Sequence, residues 1–555
     1  MPLLLVLAVW ALLAGLGMRE PMPADEPRFV LAARTMVETG QWLFPHRGIE
    51  LYAEKPPVFM WLQAASYQVV RDWRVAFLLP SLLAALLTLW LCGDLARRLW
   101  GRRAAAWAVL GLFVCLQFVL QAKRAQIDMV LVGMTTLSLW ALLRYLLEKP
   151  SPWLLMLGTF AAGLGTVTKG VGFLPLLVFL PWLWARAKSP RPLPAHRGVH
   201  ALAGVAGFLL GVGVWLAPML AAALSSSDPA LHAYAREMLF KQTGTRYANA
   251  WHHVKPAWYY LQSMLTLWLP GVLLAPWLLP AWWRRVRRAD PRQVLLLGWA
   301  LLVLAFFTAS PGKREVYIFP MLPALCVAAA PLLPALLRRR GVRAVLWGYL
   351  AVLVLAAGGL GAWLLDAPPA RLQSLVEGRG MDLAMAVHLG RWLLGFAVVA
   401  LVAMAVARRH VAVALVAVTA ALWTTYGMGF MSALSPDSSA QALMRRVGQR
   451  IGPDAQLAML GWREQHLLQA DRPATDFGFK RPWVEQWQHA HAWLLEDPAH
   501  RWLFLRKQAI GPCLDPAQVI DIGSSNRRAW ILAPGRAWID GCNVPADWSA
   551  DIGED

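Results

Sequence analysis

Apolar runs recur along the chain near residues 3–18, 75–96, 104–121, 127–147, 153–168, 170–186, 201–224, 258–283, 293–309, 318–337, 344–365, 383–407 and 410–431, separated by short polar or basic clusters. A helix that crosses a bilayer needs roughly 20 such residues, so the pattern predicts a mostly α membrane protein with about 13 transmembrane helices. The first run has no basic leader and no A-x-A-like cleavage site, and reads as a retained helix. Beyond residue 432 the pattern changes. Charge rises, short strand-like runs occur at Gln456–Leu460, Trp502–Leu505 and Ala529–Leu532, and Gly511-Pro512 signals a turn. The expected organisation is a transmembrane region over 1–432 and a small α/β region over 433–555.

Charge sets the orientation. The net charge of +21 would suit a nucleic-acid binder, but the basic residues sit in short clusters between apolar runs, which is a topology signal. Arg97 with Arg98, Arg186 with Lys188, Arg284 with Arg285, Arg338 to Arg340, and Arg408 with Arg409 all follow even-numbered runs. That face is expected to be cytoplasmic, in a bacterial inner membrane, with the N-terminus inside. The loops at 19–74, 225–257, 310–317 and 366–382, and the C-terminal region, then lie outside. No nucleic-acid partner is expected. Of the 32 carboxylates, seven fall between residues 19 and 73, fifteen beyond 432 and ten between, so the membrane interior is electrically almost empty.

The first outer loop concentrates candidate chemistry. It holds Asp25-Glu26-Pro27-Arg28-Phe29, a helix-compatible stretch from Val30 to Glu38, and Tyr52-Ala53-Glu54-Lys55-Pro56-Pro57. The prolines disfavour one continuous helix, and two short helices on the membrane surface joined by a folded loop fit better. Carboxylates beside cations can accept a proton, bind a metal or neutralise a phosphate. Taken alone, the loop reads more readily as a solvated segment whose charges do nothing specific. The other outer ends change the balance: Lys123, Arg124 and Asp128; Thr168-Lys169-Gly170; Arg246, Asn249, His252, His253 and Lys255; and Lys313, Arg314 and Tyr317. Basic residues on the outer face oppose the usual topology bias, and together they suggest a pocket for an anionic, phosphate-bearing lipid.

The ordered pair Asp25-Glu26-Pro27-Arg28-Phe29 and Tyr52-Ala53-Glu54-Lys55-Pro56 resembles the lipid A aminoarabinose transferases and their protein O-mannosyltransferase relatives, which read Asp-Glu-x-Arg-Tyr and Tyr-Phe-Glu-Lys-Pro. The resemblance continues through Arg124 to Asp128, Thr168 to Gly170, Asn249 to Tyr260 and Lys313 to Pro320. It implies the GT-C fold, with juxtamembrane helices on the outer face and a periplasmic C-terminal domain. It also implies a glycosyltransferase that moves a sugar, aminoarabinose or similar, from a polyprenyl-phosphate donor to a lipid or glycan acceptor such as lipid A, with inversion. By the same resemblance Asp25 is the principal catalytic carboxylate and Asp128 a second acid. Tyr52, Lys55 and Tyr317, helped by Lys169 and Arg246, hold the donor phosphate, while Glu26, Arg28 and Lys313 support them. Glu54 and a loop histidine would bind a divalent metal, zinc, with His253 fitting the family spacing better than His252.

Two other readings are a transporter or flippase and a membrane anchor for the C-terminal region, for which about thirteen spans are excessive. A transporter or flippase of a lipid-linked anion would show internal repeats and polar groups near the bilayer midplane, and this chain keeps its ionisable residues at the rim. A walker-type nucleotide pump is disfavoured, because Gly312-Lys313 is followed by arginine. Cys92, Cys115 and Cys326 read as packing residues, and Cys513 and Cys542 would pair if their region is periplasmic.

Overall fold

The computed structural model describes residues 2–190, 192–240, 254–368, 371–372 and 383–550. Within these residues every expected apolar run is at least partly helical, but the runs differ in continuity. Seven helices are long and apolar enough to cross a membrane, and up to nine spans result if each of two bent pairs is counted once. The pairs are Arg102–Phe113 with Leu116–Ala122, bent by 72°, and Tyr259–Leu267 with Gly271–Arg287, bent by 103°. Periodicity could not reveal those bends, because an apolar run has the same composition whether it is straight or folded back. Proline contributes to the second, with Pro270 lacking an N–H at the break. A largely apolar cavity of about 880 Å³ opens beside both bends, lined by Trp107, Val114, Trp268, Leu278 and Leu325 among others.

The outer helices carry the signature of a lipid solvent. His200–Ser225 and Arg340–Asp366 each bury only 22% of their apolar window inside the protein, leaving Leu202, Leu209, Val352 and Leu355 exposed. So much apolar surface is stable only against lipid or another protein. Where helix meets helix, small residues allow close approach. A Cβ on Gly163 or Gly211 would collide with the carbonyl of Phe208 or Phe160, so Pro152–Lys169 and His200–Ser225 pack backbone to backbone. One end of the bundle is tied by Arg98, which meets Glu148 at 3.3 Å and Asp94 at 2.5 Å.

At the other end the polar loop folds as the prolines suggested. Helix Glu26–Thr39 begins with Pro27 in its first turn and stops at Gly40, whose φ of 72° and N–H to Met36 form a left-handed cap. A two-residue hairpin follows, β1 (His46–Arg47) against β2 (Glu50–Leu51). Pro57 then starts helix Val58–Val70. Phe29 and Phe59 pack edge to face at 5.3 Å and hold the two helices together.

The C-terminal α/β region contains the three expected strands as neighbours. Strands β3 (Gln456–Leu460), β4 (Ala474–Asp476), β5 (Arg501–Arg506), β6 (Ile520–Ser525) and β7 (Arg528–Pro534) form one sheet in the order β4-β3-β5-β7-β6. The β3–β5 pair is parallel and the β5–β7 pair antiparallel. Cys513 and Cys542 are disulfide-bonded, while Cys92, Cys115 and Cys326 are free and buried.

Candidate active site

Asp25 occupies the residue before helix Glu26–Thr39 without capping it, so its carboxylate is available for other partners. Gln126 donates to its Oδ2 at 3.0 Å and Arg314 stands 3.5 Å from the same oxygen. One quarter of the Asp25 side chain stays exposed. Asp128 lies in the first turn of helix Ile127–Leu147, and the Lys169 ammonium, at the end of the antiparallel helix Pro152–Lys169, meets it directly. Lys169 also sits 5.1 Å above the Tyr317 ring. Arg314 couples the two acids. Burial works against its charge, but the fields of Asp25 and then Asp128 outweigh that penalty and raise its pKa. Two carboxylates and two cations from four separate segments thus meet at one end of the bundle.

Glu26, adjacent in sequence, has a different set of partners. Its two oxygens accept from Arg19 at 2.5 and 2.7 Å, from the Met22 N–H at 3.0 Å and from the Ala125 N–H at 2.9 Å. A carboxylate with four donors has no capacity left for a substrate. Nearby, Lys123 donates to the Ala14 and Leu12 carbonyls, and burial with Arg19 alongside lowers its pKa to about 7.

A second cluster lies one helical turn from Asp25. Arg28 meets Glu54 at 3.3 Å and Glu464, from the C-terminal region, at 3.1 Å. Arg47 stands 2.8 Å from Glu464. Tyr52 is buried in the fields of Glu54 and Arg28, and burial first, then Glu54, pushes its phenol pKa well up, so it stays a neutral hydroxyl. Lys55 directs its ammonium to the Glu54 carbonyl at 3.1 Å. Lys313 is buried and braces its own loop, donating to the Ser310 carbonyl at 2.7 Å.

The candidates therefore divide. Asp25, Asp128, Lys169 and Tyr317 converge around Arg314, and Arg28, Tyr52, Glu54 and Lys55 form the neighbouring cluster. Arg246 and His253 lie outside the described residues. Among the described residues no group of three or more His, Cys, Asp or Glu could hold a metal ion. The other proposed ligand, Glu54, is engaged by Arg28. The described residues around Glu54 thus do not compose a metal site. Sequence reasoning did not single out Gln126, although it lies inside the Arg124–Asp128 block. It also missed Arg47 and Glu464, and no motif marks Glu464.

Residues 54–215 match the dolichyl-phosphate-mannose-protein mannosyltransferase family model. An undecaprenyl phosphate-alpha-4-amino-4-deoxy-L-arabinose arabinosyl transferase of Pseudomonas fluorescens is 32% identical over 348 residues, which cover 61% of this chain and 60% of that protein. Its Aeromonas salmonicida counterpart is 29% identical over 413 residues, 69% of each chain. The chain thus spans 60% of the length of the first of these relatives. The crystal structure of ArnT from Cupriavidus metallidurans bound to undecaprenyl phosphate superposes with a TM-score of 0.72 at 21% identity, covering 98% of this chain and 99% of that one, which establishes the fold. The chain thus has the GT-C fold of that structure and is similar in sequence to the aminoarabinose transferases and, over residues 54–215, to the protein mannosyltransferases.

Proposed function

We propose that this chain is a membrane glycosyltransferase that moves aminoarabinose or a related sugar from undecaprenyl phosphate to lipid A. The observation that carries the reading is the convergence of Asp25 and Asp128 on Arg314 and Lys169 at one end of an apolar bundle. The similarity to the arabinosyl transferases supports the same reading. The site end faces the periplasm, the N-terminus the cytoplasm, and residues 433–555 form a periplasmic domain. Rim charges with an almost uncharged interior argue against a flippase.

An acceptor oxygen attacks the anomeric carbon as the bond from that carbon to the donor phosphate oxygen breaks, and the bonding pair leaves with the polyprenyl phosphate. Attack opposite the leaving group inverts the anomeric centre. Arg314, Lys169 and Lys55 stabilise the charge gathering on the phosphate, in a membrane-edge site where low polarity strengthens each contact. The hydroxyls of Tyr52 and Tyr317 donate to phosphate oxygens. Asp25, held by Gln126 and Arg314, orients the acceptor or stabilises positive charge on the sugar. An already ionised lipid A phosphate needs no base, whereas a hydroxyl acceptor would give its proton to Asp25. The apolar cavity beside the bent helices suits the polyprenyl chain.

Mass spectrometry of lipid A and envelope glycans from cells with and without the gene tests the substrate assignment. The expected result is aminoarabinose-bearing lipid A only in cells that carry the gene. Identical lipid A with a changed protein glycan would move the acceptor to protein.

A further inference from the structure

The C-terminal region reaches into the candidate site through one side chain. Glu464 is 3% exposed; its Oε1 accepts a hydrogen bond from Arg28 Nε at 3.1 Å and is ion-paired with Arg47 Nε at 2.8 Å. Arg28 comes from the helix that Asp25 precedes, and it continues to Glu54. Arg47 is 5% exposed, belongs to the hairpin just before Tyr52, and lies 3.6 Å over the Phe479 ring. Two further bonds dock the same hairpin: the Ile49 N–H donates to Asp476 at 3.2 Å, and the Lys480 N–H donates to Glu50 at 3.0 Å. The Tyr52 N–H then closes back to the Pro45 carbonyl at 2.7 Å.

Two guanidiniums this close repel each other unless an anion stands between them, and burial magnifies the effect. The field of Arg28 acts against the charge on Arg47, and Glu464 offsets it. Removing the negative charge while keeping the shape would force the two arginines apart, carrying the hairpin and the segment Tyr52–Lys55 with them. We infer that Glu464 is a positioning residue of the site, fixing Tyr52 and Lys55 for the donor phosphate through Arg28 and Arg47. The C-terminal region is then a working part of the donor site. This inference rests on the proposed glycosyl transfer.

The test is steady-state transfer by the full-length protein in detergent, with undecaprenyl-phosphate aminoarabinose as donor and lipid A as acceptor. Glu464→Gln is expected to raise the donor KM about tenfold, the scale of coupling within one hydrogen-bonded charge network, with kcat little changed. Glu464→Asp, which keeps the charge on a shorter stem, is expected to recover part of that loss. On an Arg28→Gln background the Glu464→Gln change is expected to add less than it does alone, because only Arg47 is left to lose its counter-ion. Glu496→Gln, which breaks an exposed ion pair to Arg501 elsewhere in the region, serves as the control for charge loss. If Glu464→Gln does not accumulate as folded protein, the KM of Glu464→Asp is read instead, with a smaller rise expected. A native donor KM in the folded variant, or effects of Arg28→Gln and Glu464→Gln that multiply, would overturn the inference. Absence of transfer by the native chain would instead defeat the proposed function.

Discussion

Glu26 binds Arg19 through both carboxylate oxygens, at 2.5 and 2.7 Å, with neither residue more than 6% exposed. The next residue back, Asp25, keeps a partly exposed carboxylate held by Gln126 and Arg314. The helix start at Glu26 turns consecutive side chains in different directions, which gives two adjacent acids unrelated tasks. One ties the first loop to residues 123–125, and the other faces the candidate reaction.

That division predicts opposite outcomes for two conservative changes. Glu26→Gln leaves the buried Arg19 charge without its counter-ion and should cost about 3–5 kcal/mol of stability. Asp25→Asn should leave the melting temperature in detergent close to the native value. Thermal unfolding of the two variants side by side checks this, and a fully stable Glu26→Gln protein would count against the assignment.

Acid should weaken the C-terminal region through His466. The ring is 1% exposed, its Nδ1 accepts the Arg463 N–H at 3.0 Å, and it lies 4.1 Å from the Trp530 ring. Burial, then the Arg506 charge, lowers its pKa from 6.5 to about 3. Between those values the unfolded chain binds a proton that the native state refuses. Stability is therefore complete above about pH 6.5 and declines as pH falls towards 3. His466→Phe, which keeps a ring and cannot charge, should flatten that decline when unfolding is followed from pH 7 to pH 4. An unchanged slope would remove His466 from the account.

Much of this arrangement was legible in the sequence, and the reasons for the rest are physical. The blocks at Asp25, Tyr52, Asp128, Lys169 and Tyr317 lie in order along the chain, and alternating helix directions bring their ends to one face. Strands β3, β5 and β7 were visible because fully buried strands are short apolar runs between turn signals. The bends after Phe113 and Leu267 were not visible, since an apolar run does not encode its own direction. Glu26 and Glu54 look alike as charges beside prolines, and only the surrounding donors separate a saturated brace from a partly exposed group. Glu464 was illegible because its partners, Arg28 and Arg47, lie more than 400 residues away.

The disulfide Cys513–Cys542 offers a test of orientation as well as stability. Closing a loop with a sequence separation of 29 stabilises by about 3.6 kcal/mol in the chain-entropy model. In intact cells whose outer membrane has been made permeable, reduction followed by a membrane-impermeant maleimide should label the partly exposed Cys542, whereas Cys513 is buried. Buried Cys92, Cys115 and Cys326 should stay unlabelled. Labelling that requires opening the inner membrane would place the C-terminal region in the cytoplasm.

In the proposed mechanism Asp25 acts in sugar transfer at a site whose cations hold the donor phosphate. The most direct measurement is transfer of labelled sugar by the purified protein in detergent, native against Asp25→Asn, from undecaprenyl-phosphate aminoarabinose to lipid A. The account predicts turnover by the native chain and a loss of at least about 100-fold in Asp25→Asn, the scale of one positioned catalytic group, with the variant still folded. Native-level transfer by folded Asp25→Asn would contradict it.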